Sequence, residues 1–407
     1  MNTYRKGIPI FAFFIFLSIA ILFRTFVEST HYCTPDSKHY LEVSNNFLHG
    51  LGFVGPKIMT SKAAQKPIQF GYPNTYEKQY FAIWPLAYPI GIITTASITH
   101  LHVMWASKIF NLLLLGIDFW LLYVLFGRYA QLSIFYFGSY TMIEVCTYTW
   151  SENLFIPLFL GFIIALKSLK KNKNLHFSSL TLFFSTLLGM CLTRYSAVIY
   201  HLSSVVVMGY FFYHQALKKA IGLFVGLALS SLLFISYLYV NYLKTGFITG
   251  LPRAATQVYD FWTLFGKFWL GMFNQLHLIK QCRFNGTADF VFYLILLTIQ
   301  LVLIAYIVYQ FQLHKYQFKF NNTCKLLLFN AIIYLAFLCY MTIQSTIDPF
   351  DYRTLLPFSF PVMLSILYTT EKKLRTQHAH KILWMIKAFF ICAVLFNLPK
   401  QYLWGLL

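Results

Sequence analysis

Residues 220–241 read AIGLFVGLALSSLLFISYLYVN, a run that contains no charged side chain. A helix of about 20 mostly apolar residues is long enough to cross the hydrocarbon core of a bilayer. The whole chain of 407 residues has the same character, since 58% of it is hydrophobic, 20% is aromatic and only 11% is charged. Soluble domains carry roughly 25% charged residues. The sequence therefore predicts an integral membrane protein and excludes a soluble enzyme, a nucleic-acid-binding protein or a disordered scaffold.

Similar apolar runs recur along the chain and predict an all-α, polytopic fold with about 11 transmembrane helices. They form one domain, residues 1–407, with two long loops at 27–104 and 242–289. The run between 178 and 213 is divided at Thr193-Arg194, because a charge at mid-bilayer depth is costly. The predicted transmembrane segments are 8–26, 105–126, 131–149, 152–168, 178–192, 196–213, 220–241, 290–311, 325–343, 354–369 and 382–398.

The orientation of these segments follows from the basic residues. The formal net charge is +20, and the Lys and Arg residues cluster in short connections between apolar runs. By the positive-inside rule, the N-terminus and these connections lie in the cytoplasm, and the two long loops lie outside the cell inner (plasma) membrane. The rule is satisfied throughout if residues 84–99 lie along the interface and do not cross. Anionic membrane lipids are expected partners of the basic surface.

Each long loop contains an amphipathic stretch. In the first, apolar residues at helical spacing follow Asp36 until Gly50 offers a stop. In the second, a polar stripe opposes an apolar face, which predicts a helix lying in the membrane interface. The stripe consists of Asp260, Lys267, Asn274 and Gln281, and the apolar face of Phe261, Phe265, Phe268, Met272 and Leu276.

Five short motifs lie at the predicted external boundary. They are Asp36 to Phe53 (DSKHYLEVSNNFLHGLGF), Trp84 to Pro89 (WPLAYP), Ser151-Glu152, Thr193-Arg194 and Arg353 to Pro357 (RTLLP). Their order resembles that of the GT-C fold glycosyltransferases that use polyprenyl-phosphate sugars, the family of the protein O-mannosyltransferases and the lipid A aminoarabinose transferase. Three departures leave the subfamily open, and the first is that the Pro-rich turn keeps only one of the family's paired prolines. Ser37 stands where the family often has a second acid, and Tyr352 precedes Arg353 where the family has a Tyr after the Arg.

The resemblance implies transfer of a sugar from a polyprenyl-phosphate donor to an acceptor hydroxyl, with inversion, on the external side. The acceptor would be a glycan, a lipid or a protein of the cell envelope. Asp36 is the predicted general base, because the hydroxyl must lose its proton as the sugar bond breaks. Arg194 and Arg353 are predicted to stabilise the departing phosphate. Further substrate contacts are predicted at Tyr40, Glu77, Lys78, Glu152 and Tyr352.

Each of these residues also has a structural interpretation. Asp36 and Glu152 each follow a helix-initiating residue, where an acid is favoured by the helix dipole. Arg194 is as well suited to a structural pair, or to reaching the interface along its aliphatic stem, as it is to binding phosphate. Arg353 is as well suited to pairing with Asp348 or Asp351 as it is to binding phosphate.

Cofactors and rival functions stay open at this point. The sequence contains no metal-ligand spacing, and no cofactor is predicted, although relatives leave room for a divalent metal. Cys33 and Cys282 would pair only if their loops face an oxidising compartment.

A transporter or flippase for a lipid-linked sugar is the first rival function, yet such proteins tend to show internal repeats, and this chain has none. A polysaccharide polymerase or ligase is the second, and the early acid with the Pro-rich turn favours the transferase over it.

Overall fold

The computed structural model describes residues 4–27, 33–56, 78–171, 176–250, 260–276, 287–313, 319–344, 350, 352–377 and 379–398. Within these residues the fold is helical, as predicted, with one short antiparallel hairpin formed by β1 (Val54–Pro56) and β2 (Lys78–Tyr80). The helices are α1 (Tyr4–Val27), α2 (Pro35–Leu48), α3 (Ala87–Thr99), α4 (Val103–Phe126), α5 (Gln131–Phe135), α6 (Tyr140–Thr147), α7 (Glu152–Lys171), α8 (Phe177–Thr193), α9 (Ile199–Tyr213), α10 (Leu217–Thr245), α11 (Phe261–Leu276), α12 (Thr287–Leu313), α13 (Asn322–Gln344), α14 (Tyr352–Thr376) and α15 (His380–Phe396).

Six segments are long and apolar enough to cross a membrane by themselves within the described residues: Pro9–Val27, Val103–Tyr129, Glu152–Lys171, Tyr195–Tyr213, Leu217–Thr245 and Asn322–Thr342. Their outer faces carry large exposed apolar side chains, among them Ile221, Phe224 and Leu232 on α10. Such a surface is stable only against lipid. The protein is therefore a polytopic membrane protein, whereas the count of eleven spans is not established.

The segment 131–149, predicted as one transmembrane helix, is a different structure. It consists of the short helices α5 and α6, with a 3-10 turn at Tyr136–Gly138 between them and an extended residue at Ser139. Its side chains from Leu132 to Ser139 and from Thr141 to Trp150 are buried inside the bundle. The prediction of a single span here was wrong, because a run of core residues has the same hydropathy as a run that faces lipid.

The first predicted external loop contains both the helix that was predicted after Asp36 and a segment at 84–99 that does not cross the membrane. Helix α2 begins after Thr34 and ends before the left-handed Gly50, where the sequence predicted the stop. The segment 84–99 forms α3, whose 13 residues are too short to cross a hydrocarbon core of about 30 Å. Instead, Tyr88 and Ile92 of α3 pack in a second hydrophobic cluster with Tyr40 of α2. These contacts support the prediction that residues 84–99 do not span.

Helix α11 confirms that the second long loop contains a helix, but its apolar face is divided. Phe268 and Met272 pack against the main core, and Phe268 contacts Phe350 edge to face at 5.4 Å. Phe261 and Phe265, predicted on the same face, are exposed. Trp262 and Trp269 are exposed beside them. This outward aromatic surface is the kind that lies at the membrane interface.

Candidate active site

Helix α2 positions Asp36 in its first turn. Thr34 is the N-cap residue, and its hydroxyl accepts a hydrogen bond from the Ser37 backbone N–H, with Pro35 as the first helical residue. The same hydroxyl accepts the indole N–H of Trp150 at 2.7 Å. The start of α2 is therefore fixed to the connection between α6 and α7, more than one hundred residues away along the chain.

That connection, residues 148–151, is held by side chains as well as by backbone hydrogen bonds to the neighbouring helices, such as the one from the Tyr148 N–H to the Glu144 carbonyl. Asn111 donates to the carbonyls of Cys146 and Tyr148 at 3.1 and 2.9 Å. Lys108 is fully buried and donates to the Thr147 carbonyl at 2.6 Å. From the other side, the Asn153 amide donates to the carbonyls of Val145, Tyr148 and Trp150. Buried carbonyls require such partners, and this polar cage fixes the position of the Trp150 ring.

Glu152 opens α7 and lies at the centre of a charged cluster. Its side chain is buried, and its Oε1 lies 2.7 Å from Arg194 Nη1 and 3.1 Å from Arg353 Nε. Arg194 occupies the extended residue between α8 and a 3-10 turn at Tyr195–Val198. The predicted break at Thr193-Arg194 is thus confirmed, and it turns this guanidinium toward Glu152.

Arg353 joins the two acids of the cluster. It lies in the first turn of α14, and its Nη1 donates to Asp36 Oδ2 at 2.8 Å while its Nε donates to Glu152. Its guanidinium also stacks over the Trp150 ring at 4.0 Å. The Trp150 ring is stacked in turn on Tyr148 at 4.3 Å. A planar guanidinium held by two carboxylates and an aromatic face has a fixed orientation.

We define the Asp36 cluster as Asp36, Glu152, Arg194 and Arg353. The structure therefore brings together the predicted base, both predicted phosphate-binding residues and one predicted substrate contact. The structure also agrees with the purely structural roles considered for these residues, because Asp36 and Glu152 lie in the first turns of helices. Both arginines are paired with acids, although the partners of Arg353 are Asp36 and Glu152. Asp348 and Asp351 lie outside the described residues.

The remaining predicted contacts lie around the cluster or outside the described residues. Tyr40 follows Asp36 by one helical turn, is 2% exposed and packs edge to face on Tyr88 at 5.3 Å. Burial raises the pKa of the Tyr40 hydroxyl above its ordinary value, while a hydrogen bond from Ser151 opposes this shift. Tyr40 thus forms a buried wall of the site.

Lys78 is exposed on β2, and within the described residues no ion pair joins it to the Asp36 cluster. The charge of Lys78 lowers the pKa of Glu42, but burial of the Glu42 carboxyl raises that pKa by more, so the net shift is upward. Glu77 and Cys282 lie outside the described residues. Tyr352 begins α14, but its side chain is not among those described. The predicted substrate contacts of Glu77, Lys78 and Tyr352 therefore remain predictions, and so does the pairing of Cys33 with Cys282.

Several residues of the site were not singled out from the sequence. Trp150 is one aromatic residue in a chain that is 20% aromatic, so no sequence signal distinguishes it from the others before the fold is known. Lys108 could have been found, because an ionisable residue within a predicted span is a functional candidate by default. Among the described residues, no group of three or more His, Cys, Asp or Glu side chains is placed to hold a metal ion.

The polar cage gives a direct test of how the connection is held. We expect Asn153→Leu to lower the free energy of unfolding by about 2 kcal/mol, because a buried carbonyl loses its donor. Asn330→Leu is the matched control, since Asn330 is also buried but, within the described residues, donates to a single carbonyl, that of Leu326 one turn earlier in its own helix. Thermal unfolding of both purified variants measures the difference. Equal losses would contradict a special role for Asn153.

The fold is similar to that of a solved membrane protein. ArnT from Cupriavidus metallidurans, in a crystal structure bound to undecaprenyl phosphate, superposes with a TM-score of 0.50 at 12% sequence identity. The match covers 89% of this chain, which spans 60% of that protein's length. No protein-family model and no curated protein sequence matches the chain. The structural likeness confirms the fold that the order of motifs predicted: this chain is a polytopic membrane protein with the GT-C fold.

Proposed function

We propose that the protein is a membrane glycosyltransferase that moves a sugar from a polyprenyl-phosphate donor to an acceptor hydroxyl. The observation that carries the proposal is the position of Arg353, which contacts Asp36 and Glu152 together. Through this contact the Asp36 carboxylate lies against the Arg353 guanidinium, and Glu152 links Arg353 to Arg194, although the residues come from distant parts of the chain. The similar ArnT structure, solved with undecaprenyl phosphate, supports a lipid phosphate as the ligand.

The two arginines would bind the phosphate of the donor. Their side chains are 17% and 21% exposed, so they are partly open while Glu152 beneath them is buried. Arg194 Nη1 lies 2.7 Å from Glu152 as an ion pair without hydrogen-bond geometry, and this atom is buried. An incoming anion would therefore meet the part of the Arg194 side chain that is exposed, which is 17% of it. Because each guanidinium offers five donors in a plane, both can bind phosphate oxygens in pairs without leaving Glu152.

Asp36 would act as the general base. Its side chain is 24% exposed, which leaves it open to an acceptor. In the proposed step the acceptor oxygen attacks the sugar C1 as the C1–O bond to phosphate breaks. The proton passes to the Asp36 carboxylate, and the phosphate leaves with the electron pair. A single displacement of this kind inverts C1. A phosphate that draws Arg353 toward itself also frees Asp36 to accept the proton.

The location of the cluster supports a site outside the cytoplasm. Helix α7 begins at the cluster with Glu152 and ends with Lys170 and Lys171. Near that far end, Lys167 donates to the Leu125 carbonyl at the end of α4. Since the basic ends of helices face the cytoplasm, the opposite end carries the Asp36 cluster on the external side. We place the N-terminus in the cytoplasm and the protein in the cell inner membrane, where a glycan, lipid or protein acceptor would meet it.

The proposed reaction can be measured directly. We expect the full chain in liposomes to release polyprenyl phosphate from a polyprenyl-phosphate sugar when a hydroxyl acceptor is present, and to leave nucleotide sugars intact. A panel of lipid-linked sugars and of glycan, lipid and peptide acceptors would be assayed by mass spectrometry. Movement of the intact lipid-linked sugar between leaflets, without cleavage, would contradict the proposal and favour a flippase. Extension of a lipid-linked glycan would favour a polymerase.

A further inference from the structure

A groove lies between α1 and α4 at the end of the bundle opposite the Asp36 cluster. It encloses about 660 Å³. Its walls are aromatic, with Phe11 and Phe14 from α1 and Phe119, Trp120 and Tyr123 from α4. The large side chains at its rim are turned outward, since Phe11 is 66% and Trp120 is 63% exposed. In a bilayer these exposed rings face the hydrocarbon region, so lipid chains are the material that can fill the groove.

The length and shape of the groove suit one acyl chain. Gly116 lies in its wall, where an added Cβ would be in ordinary van der Waals contact with the Phe14 ring at 3.7 Å, so the missing side chain widens the groove there by about one methyl group. From Gly116 to Phe126, where α4 ends, the helical rise is about 15 Å, which is half of a hydrocarbon core of about 30 Å. The groove therefore extends from mid-membrane depth to the head-group level.

The head-group end of the groove is positively charged. Arg128 and Gln131 line it there, and Arg128 is exposed with its guanidinium over the Tyr129 ring at 4.8 Å. The Gln131 side-chain oxygen accepts hydrogen bonds from both Arg375, at 2.7 Å, and Lys387. Arg128, Arg375 and Lys387 bring three positive charges to this end, and Glu371, which accepts from Arg375 Nε and from the Leu132 N–H, brings one negative charge.

We propose that this groove binds an anionic glycerophospholipid of the leaflet at that end, with an acyl chain between Phe14 and Trp120. Its phosphate would contact Arg128, which has an exposed guanidinium at the mouth. A cationic mouth above an apolar channel selects a lipid by its head-group charge. The site is separate from the donor site proposed above, and it does not depend on glycosyl transfer.

Trp120 provides a local probe of occupancy. Lipids with brominated acyl chains quench nearby tryptophan, and the difference between wild type and Trp120→Phe isolates the signal from Trp120. We expect brominated phosphatidylglycerol to quench Trp120 at about fivefold lower mole fraction than brominated phosphatidylcholine, since one cation near the membrane surface contributes about 1 kcal/mol. The measurement uses the full chain in mixed vesicles and needs no enzymatic assay.

Four further variants, one of them a control, test the assignment of the mouth and of the groove. Arg128→Gln should remove the preference, and Arg128→Lys should keep most of it. Lys219→Gln is the matched control, because Lys219 lies at the same end of the bundle on α10 with its ammonium over Phe211. Gly116→Leu should reduce quenching of Trp120 by both lipids, because the new side chain occupies the groove.

The folded state of each variant is checked by gel filtration and thermal unfolding. Equal quenching by the two lipids would overturn the proposal, and so would a preference that survives Arg128→Gln. Absence of any Trp120 quenching would also overturn it, since the groove would then be covered by protein.

Discussion

Replacing Asp36 with Asn should lower kcat for glycosyl transfer by about 100- to 10,000-fold, which is the usual contribution of a positioned general base. The substitution keeps the size of the side chain and an oxygen that can accept from Arg353, so the cluster should keep its arrangement. It removes the negative charge that takes the acceptor proton. We therefore expect the loss in kcat, with little change in the KM for the lipid donor.

Asp260→Asn is the matched control for this prediction. Asp260 is an exposed carboxylate before α11 that accepts the Thr263 backbone N–H, and it lies outside the Asp36 cluster. Initial rates with saturating donor and acceptor give kcat for both variants. Transfer by Asp36→Asn at the wild-type rate would eliminate Asp36 as the base, even if the protein is a glycosyltransferase. A rise in KM for the donor alone would instead indicate that Asp36 positions Arg353.

Four residues that the sequence predicted for the site lie together in the structure, but the sequence did not indicate how they would contact each other. Asp36, Arg194 and Arg353 could be chosen because each belongs to a motif in an order typical of the GT-C glycosyltransferases. Glu152 was predicted both as a helix N-terminal acid and as a substrate contact. The structure shows that it pairs with two guanidinium groups from α14 and the end of α8. Such a pairing depends on tertiary packing, for which one sequence carries no local signal.

Hydropathy correctly predicted a helical membrane protein, but its prediction for residues 131–149, which lead to Trp150 and Glu152, was wrong. Residues 131–149 are apolar because they fill the interior of the bundle, and a lipid-facing helix would have the same composition. The donors that replace their helical hydrogen bonds, Lys108 and Asn111, lie on α4. Their presence within a predicted span was the available signal that the neighbouring segment is irregular.

Glu152→Gln should cause the largest loss of stability among these substitutions. The Glu152 side chain is 1% exposed, and the variant leaves Arg194 and Arg353 without the carboxylate that lies between them. Removing one partner of a buried ion pair typically costs about 3 to 5 kcal/mol. Because both guanidinium groups are partly exposed and Arg353 keeps Asp36, we expect a loss of about 3 kcal/mol, the lower end of that range. Chemical unfolding of the purified protein measures it.

Glu144→Gln separates the structural role of Glu152 from its role in the site. Glu144 forms another buried ion pair, with Arg24, which also donates to the Thr147 hydroxyl at 3.0 Å. Both variants should lose stability, but only Glu152→Gln should also reduce transfer per folded molecule, because it releases Arg194 and Arg353, which we propose bind the phosphate, from their positions. Glu152→Asp keeps the charge and should restore part of the activity. If folded Glu152→Gln protein transfers sugar at the wild-type rate, then Glu152 stabilises the fold and does not position the arginines for catalysis.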